Sequence, residues 1–233
     1  MTPTLIACSH GTDSPAGRAA IRSIVDDLRG LLPHVDVHEA FVDVQEPALP
    51  DVLERSTRAG AAIVVPLLLS TGYHTKVDIA HAVAAHPQAA AAAHALGPHR
   101  LLTDILEDRL AAVGLRDDDA IVLAAAGSSD PAAAVDVDVT VRRLAERLGR
   151  PVTTGVASGA GPRIGSVVAA ARAAGAGRVV VASYVLATGY FAGVIARAGG
   201  DVETAPLAPD ERLAVIAADR YRNVLGTRAA SAA

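Results

Sequence analysis

Residues Ala61–Ala80 read AAIVVPLLLSTGYHTKVDIA, and residues Arg178–Ala196 read RVVVASYVLATGYFAGVIA. Each starts as a β-branched apolar run, breaks, and meets the same tripeptide, Thr71-Gly72-Tyr73 in one stretch and Thr188-Gly189-Tyr190 in the other. The next residue differs: His74 in the first, Phe191 in the second. A second pair of stretches repeats in step. Leu5–Thr12, LIACSHGT, is matched by Val122–Ser128, VLAAAGS, with His10 falling on Ala126. The offsets, 126 − 10 = 116 and 191 − 74 = 117, agree to one residue. The chain therefore reads as two copies of one unit. All eight histidines precede Arg100, so only the first copy keeps a histidine chemistry.

Working outward from these stretches, short β-branched runs alternate with longer helical patterns, the signature of βαβ units around a parallel sheet. The first copy is expected to hold strands near Thr4–Ser9, Val35–Val42, Ile63–Leu67 and Ala90–His94, and helices near Ala16–Leu32, Ala48–Ala59, Val77–Ala85 and Leu101–Val113. The second is expected to hold strands near Ala120–Ala125, Val152–Val156 and Arg178–Ser183, and helices near Ala132–Leu148, Ile164–Ala174, Phe191–Ala198 and Pro209–Val224. The strands are apolar almost continuously, not alternating, which suggests that crossover helices cover both faces. The fold class is α/β: two tandem Rossmann-like parallel-sheet domains with a cleft between them. The polar stretch Gly114–Asp119 sets the boundary, giving an N-terminal half over residues 1–116 and a C-terminal half, a degenerate repeat, over 117–233. A chain of 233 residues, 51% hydrophobic, can bury one large core or two smaller ones, and the repeat favours two. The tail Gly226–Ala233 is expected to fray.

Composition excludes several classes. A net charge of −4, from 21 basic and 25 acidic residues without a basic block, argues against a nucleic-acid partner. The longest apolar run, Ala61–Leu69, is too short to span a bilayer, and MTPTLIACSHG lacks the basic start of a secretory signal, so a cytoplasmic protein without a membrane partner is expected. Cys8 is a single cysteine in an apolar run and reads as a small core residue. No Gly-x-Gly-x-x-Gly opens a helix after a strand, which disfavours a nucleotide enzyme, and no Cys-x-x-Cys or His-Glu-x-x-His pattern supports a structural zinc.

Pro66 removes a ladder donor, so the strand carrying it should end there. Leu67–Tyr73 is then the loop leaving the strand's carboxyl end, with His74 at the next helix, and His10 follows the first strand in the same way. Ligands of open parallel sheets bind beyond the carboxyl ends of strands, so both histidines should face one mouth. Two imidazoles there can ligate a divalent transition metal and accept protons. A local structural role would be needed equally in the second copy, which has Ala126 and Phe191 instead. Of the remaining histidines, His34 and His38 lie on extended backbone and read as surface, and His81 reads as a solvated helix residue.

The segments Ser9-His10-Gly11, Phe41-Val42-Asp43-Val44-Gln45-Glu46-Pro47, and Val65-Pro66-Leu67 leading into Gly72-Tyr73-His74 resemble the sirohydrochlorin chelatases of the SirB and CbiX type, over nearly the whole chain. That resemblance implies a class II chelatase fold in its long two-domain form. It also implies insertion of Fe²⁺ or Co²⁺, with Ni²⁺ a further option, into sirohydrochlorin or a related tetrapyrrole. The metal is then a substrate, and no organic cofactor is expected. His10 and His74 are similar to the family's two metal-handling histidines. The family places a glutamate where this chain has Asp43, which leaves open whether Asp43 or Glu46 assists. Ser9, Gly11, Thr12, Gly72, Tyr73, Lys76 and Ser128 are the expected substrate contacts, since the substrate's carboxylates need N–H, O–H or cationic donors. Two fused halves would complete the cleft within a monomer. The competing reading is a metal or tetrapyrrole carrier that uses the same histidines without turnover.

Overall fold

The computed structural model describes residues 2–72 and 75–231, and their side chains except at 75, 76 and 228–231. Strands β1 (Thr4–Ser9), β2 (Val37–Phe41), β3 (Ala62–Pro66) and β4 (Ala90–Ala92) form one parallel sheet in the order β2-β1-β3-β4. Strands β5 (Ala120–Ala125), β6 (Val152–Val156), β7 (Val179–Tyr184) and β8 (Val202–Glu203) repeat that order as β6-β5-β7-β8. The α/β reading and the two tandem sheets are both found.

Helices α1 (Pro15–Leu31) and α5 (Pro131–Leu148) start with the same device in each copy. The Ser14 hydroxyl accepts from Gly17 N at 3.2 Å, the Asp130 carboxylate accepts from Ala132 N at 2.9 Å, and a proline follows each cap at the first helical position. Proline costs nothing there, because that N–H has no helical partner anyway. The remaining helices are α2 (Leu49–Ala59), α3 (Ala80–Ala84), α4 (Arg100–Ala112), α6 (Ile164–Ala173), α7 (Tyr190–Ala196) and α8 (Glu211–Ser231).

Both faces of each sheet are covered, as the unbroken apolar runs imply. Along β1, Leu5 and Ala7 enter one core while Ile6 and Cys8 enter another beneath α2. The expectation of two separate cores is corrected. Residues of β1 and β3 share one buried cluster with residues of β5, β7, α4 and α8, and a smaller cluster lies on the outer face of each sheet. The cause is an exchange of terminal helices. α4 packs on α5 and β7 of the other half, while α8 packs on α1 and β3. Arg109 of α4 donates to the carbonyls of Pro206, Leu207 and Pro209, and Arg220 of α8 donates to those of Ala95, Leu96 and Pro98.

Other expectations shift locally. The tail is not frayed at Gly226, because α8 runs to Ser231 through alanine- and arginine-rich sequence that favours helix. The helix expected over Val77–Ala85 is a π-helical turn, Thr75–Ile79, followed by α3. β2 is shorter than Val35–Val42, and β4 ends at Ala92. The two-residue β8 was not anticipated, being too short to leave a pattern. The His99 Nδ1 caps α4 by accepting from Leu101 N at 3.2 Å. Burial and the nearby Arg220 and Arg100 lower its pKa, so it stays neutral and keeps that acceptor.

Cys8 is fully buried, and burial pushes its thiol pKa up to about 12, with the Asp78 carboxylate adding to the rise. Only the thiolate reacts readily. The native protein should therefore resist a thiol reagent at pH 8 over an hour, and the unfolded chain should react at once. Rapid labelling of the native state would show that the β1 core opens.

Candidate functional site

The carboxyl ends of β1, β3, β5 and β7 open into one cleft of about 910 Å³ between the halves. Proline at 66 does end β3, and Leu67–Gly72 leaves it as a loop along the wall. His10, the first residue after β1, lines this cleft with Ser9, Gly11, Thr12 and Gly72 from the first half and Ser128 from the second. Tyr73 and His74 lie outside the described residues, as does the side chain of Lys76. The structure thus brings His10 and five of the seven expected substrate contacts to one mouth.

The loop carrying His10 is held by the segment after β2. Val42 N donates to Ser9 O at 3.0 Å, Asp43 N donates to His10 O at 3.1 Å, and Thr12 N donates to the Gln45 side chain at 2.9 Å. Gly11 has φ +95°, and a Cβ there would stand 2.4 Å from the Asp43 carbonyl oxygen. Glycine is required on both counts. Val44 has φ +60°, a strained position for a β-branched residue, and turns a 45% exposed side chain onto the cleft.

Asp43 stands apart from these residues. It is exposed and does not line the cleft, and its Oδ1 accepts from Val44 N at 2.8 Å, which supports the strained turn. Glu46 is occupied in a similar way: its Oε2 accepts from Ala48 N at 2.7 Å, beside the start of α2. Gln45, between them, was missed as a candidate although it sits in the quoted segment. Its role needs Thr12 brought across from another loop, and no local pattern announces that.

Ser9 is 4% exposed, and its hydroxyl oxygen is buried without a hydrogen-bond partner among the described residues. Orphaned polar atoms of this kind are uncommon in folded interiors; here Ser9 lies at the cleft, while the others among the described residues, at Ser56, Thr103, Asp119 and Ser183, do not line it. Across the cleft, Gly72 faces Ser128: a Cβ at 72 would lie 3.2 Å from Ser128 Oγ. Phe191 is half-buried on the second half's outer core and also lines the cleft, packed edge-to-face on Tyr190 with ring centroids 5.3 Å apart. Tyr190 itself is 77% exposed at the rim. Tyr184, also missed, lines the cleft from the end of β7, and burial pushes its pKa up to about 12, so it acts as a neutral hydroxyl.

Among the described lining residues there is no Lys or Arg; the polar lining is made of hydroxyls such as Ser9, Thr12 and Ser128 together with the carboxylates of Asp13, Asp130 and Asp138. No group of three His, Cys, Asp or Glu among the described residues is arranged to hold a metal ion. No described helix is long and apolar enough to cross a membrane.

Comparison with known proteins agrees with this architecture. The sirohydrochlorin cobaltochelatase of Methanothermobacter thermautotrophicus is 32% identical over 79 residues, which cover 33% of this chain and 54% of that protein. That of Methanopyrus kandleri is 25% identical over 86 residues, 36% of this chain and 60% of its own length. The chain thus spans little more than half the length of these curated relatives. Among solved structures, SirB from Bacillus subtilis with Fe³⁺ superposes with a TM-score of 0.81 at 20% identity, covering 95% of both chains. CbiX, described as the terminal enzyme for biosynthesis of siroheme in denitrifying bacteria, superposes with a TM-score of 0.66 at 16% identity, covering 94% of this chain and 98% of that one. The CbiX family model matches twice, over residues 4–113 and 120–224, once on each sheet and its helices. Both copies answer to one family description, and the chain belongs to the CbiX family.

Proposed function

We propose that this protein is a sirohydrochlorin chelatase that inserts a divalent metal into the macrocycle in the cleft between halves divided near residue 116. The observation that carries this reading is the place of His10: a histidine at a strand end, lining a cleft of about 910 Å³ whose opposite wall comes from a copy with Ala126 there. That volume lies in the upper part of the range of small-molecule sites, about 300–1,000 Å³. The names of the relatives and family membership support the same substrate class.

Insertion requires the ion to shed water and the macrocycle to lose two N–H protons. In this reading His10 and His74 would hold the ion at the ring, and as the ion passes to the ring nitrogens each freed imidazole nitrogen would take up one of the two protons, roles that neutral imidazole can fill in turn near neutral pH. Ser9, Thr12, Gly11 and Gly72, with Tyr73, Lys76 and Ser128, receive the peripheral carboxylates. Asp43 acts by holding the Val44 turn and, through it, the backbone of His10, which is a role for a carboxylate that need not reach the metal. Imidazole accepts Fe²⁺ and Co²⁺ alike, so the same site serves a siroheme or a cobalamin route according to metal supply. Because one chain supplies both walls, the working unit is a monomer.

Turnover separates this reading from a carrier that only holds its cargo. Purified protein mixed anaerobically with sirohydrochlorin and excess Co²⁺ or Fe²⁺ should drive the absorption change of metal insertion well above the rate without protein. A rate equal to that control would leave the carrier as the better reading.

A further inference from the structure

The loop that leads to His74 is strapped from the other half. Thr71 N donates to Asp136 Oδ2 of α5, in the other half, at 2.7 Å. Two residues earlier, the Leu69 carbonyl accepts from Tyr184 Oη at 3.2 Å. With its proton committed there, Tyr184 Oη stands 3.3 Å from Thr140 Oγ1, one helical turn beyond Asp136 on α5, and the single Thr140 hydroxyl proton is shared between Tyr184 and the Asp136 carbonyl, 3.2 Å away. Tyr184 and Thr140 are 2% and 1% exposed, so this pair is buried, while the Thr71–Asp136 bond is partly buried. Gly97 permits it: a Cβ there would lie 2.2 Å from Leu69 O and 2.7 Å from the Tyr184 hydroxyl.

The internal repeat shows what is special about these three residues. At the offsets of 116 for α5 and 117 for β7, Asp136 corresponds to Ala20 (136 − 116), Thr140 to Ile24, and Tyr184 to Leu67 (184 − 117). Among the described residues, the equivalent loop of the second copy meets the first half through the exposed Ser14 hydroxyl, 3.3 Å from Thr188 Oγ1, and through close approaches of Gly17 to Thr188 and of Gly189 to Thr12. The second copy therefore carries a polar trio absent from the first, aimed at the one loop that continues into a histidine. A hydrogen bond to a charged acceptor in a buried setting is among the stronger ones available to hold a backbone.

We propose that Asp136 and Tyr184, with Thr140 behind them, are positioning residues that fix Leu69–Thr71 and thereby the approach of His74 to the metal. This deepens the proposed function and rests on its assignment of His74. The second half then acts on the metal through the first half's loop, beyond forming a wall.

The test uses the full chain with Asp136→Ala, Asp136→Asn and Tyr184→Phe, read in two ways. Hydrogen exchange of the segment containing the Thr71 amide measures the strap itself. Co²⁺ titrated into the protein alone, without tetrapyrrole and followed by visible absorption, measures the metal site independently of turnover. Asp136→Ala should speed Thr71 exchange about 10-fold or more and weaken Co²⁺ binding about 10-fold, the usual cost of losing a group that orients a ligand. Asp136→Asn, which keeps an oxygen acceptor, should stay within about 3-fold of the parent on both readouts. Tyr184→Phe should fall between them. Faster exchange with unchanged Co²⁺ affinity, unchanged exchange in Asp136→Ala, or an Asn variant as impaired as the Ala variant would overturn the proposal. So would a parent chain that binds no Co²⁺. A parent chain that binds Co²⁺ without inserting it sinks the chelatase activity and leaves this test intact.

Discussion

His10→Ala or His74→Ala should lower the rate of metal insertion by on the order of 100-fold or more, the usual scale for losing a proton-transfer group that also contacts the reacting centre. Such losses are often confounded by unfolding, and the repeat removes that difficulty. The second copy places Ala126 after β5 at the position of His10, on a strand paired with its neighbours in the same order as β1. Its loop turns in the same way at Gly127, with φ +82° where Gly11 has +95°. The backbone therefore tolerates alanine at that corner. Circular dichroism and thermal melts of both variants should match the parent while insertion, assayed anaerobically with Co²⁺ or Fe²⁺, falls. Parent-rate insertion by both variants would move the site away from these histidines. Equal loss in each, with no further loss in the double variant, would show that they act as one unit.

Gly17→Ala should destabilise the protein by about 2 kcal/mol, as overpacked sites do, and lower the melting temperature by roughly 4–8 °C for a chain of this size. The sign is the point of the prediction. Replacing glycine by alanine inside a helix ordinarily stabilises by about 0.5–1 kcal/mol through backbone entropy. Here the new Cβ would stand 2.2 Å from the Thr188 carbonyl oxygen of the other half, far inside contact distance. Backbone on both sides leaves no flexible tip to move, so either α1 or the loop before α7 must shift. Thr188, Gly189 and Tyr190 line the cleft, and insertion should fall together with stability. A variant as stable as the parent, measured by thermal or denaturant unfolding, would mean that the halves do not meet at this distance.

How much of the molecule was legible in the linear chain follows from where each feature's information resides. The strands were legible because parallel strands covered on both faces must be apolar at successive positions, and β1, β3, β5 and β7 all are. Pro66 ending β3 followed from a missing N–H, a property of one residue. The π-helical turn at Thr75–Ile79 left no such mark, since its residues suit an ordinary helix equally well. The candidate site was half legible. His10 lies at the cleft as the strand-end reasoning expects, and Ser9, Gly11, Thr12, Gly72 and Ser128 line the same cleft. Gln45, Asp136 and Tyr184 were not visible, because each acts on a backbone group brought from another loop or from the other half.

The chain by itself determined its class, its duplication and the pair of histidines that set one copy apart, because burial pattern, turn chemistry and repeat are all written in neighbouring residues or in a fixed offset. It did not determine how the copies join. That α4 and α8 would trade sheets, that the two halves would share one buried core, and that α5 would strap the loop before His74 depends on which sheet faces remain uncovered after each half has folded. That is a property of surfaces far apart in sequence. Any amphipathic helix satisfies its own periodicity against either sheet, and the complementarity of the two surfaces selects between them only once both exist.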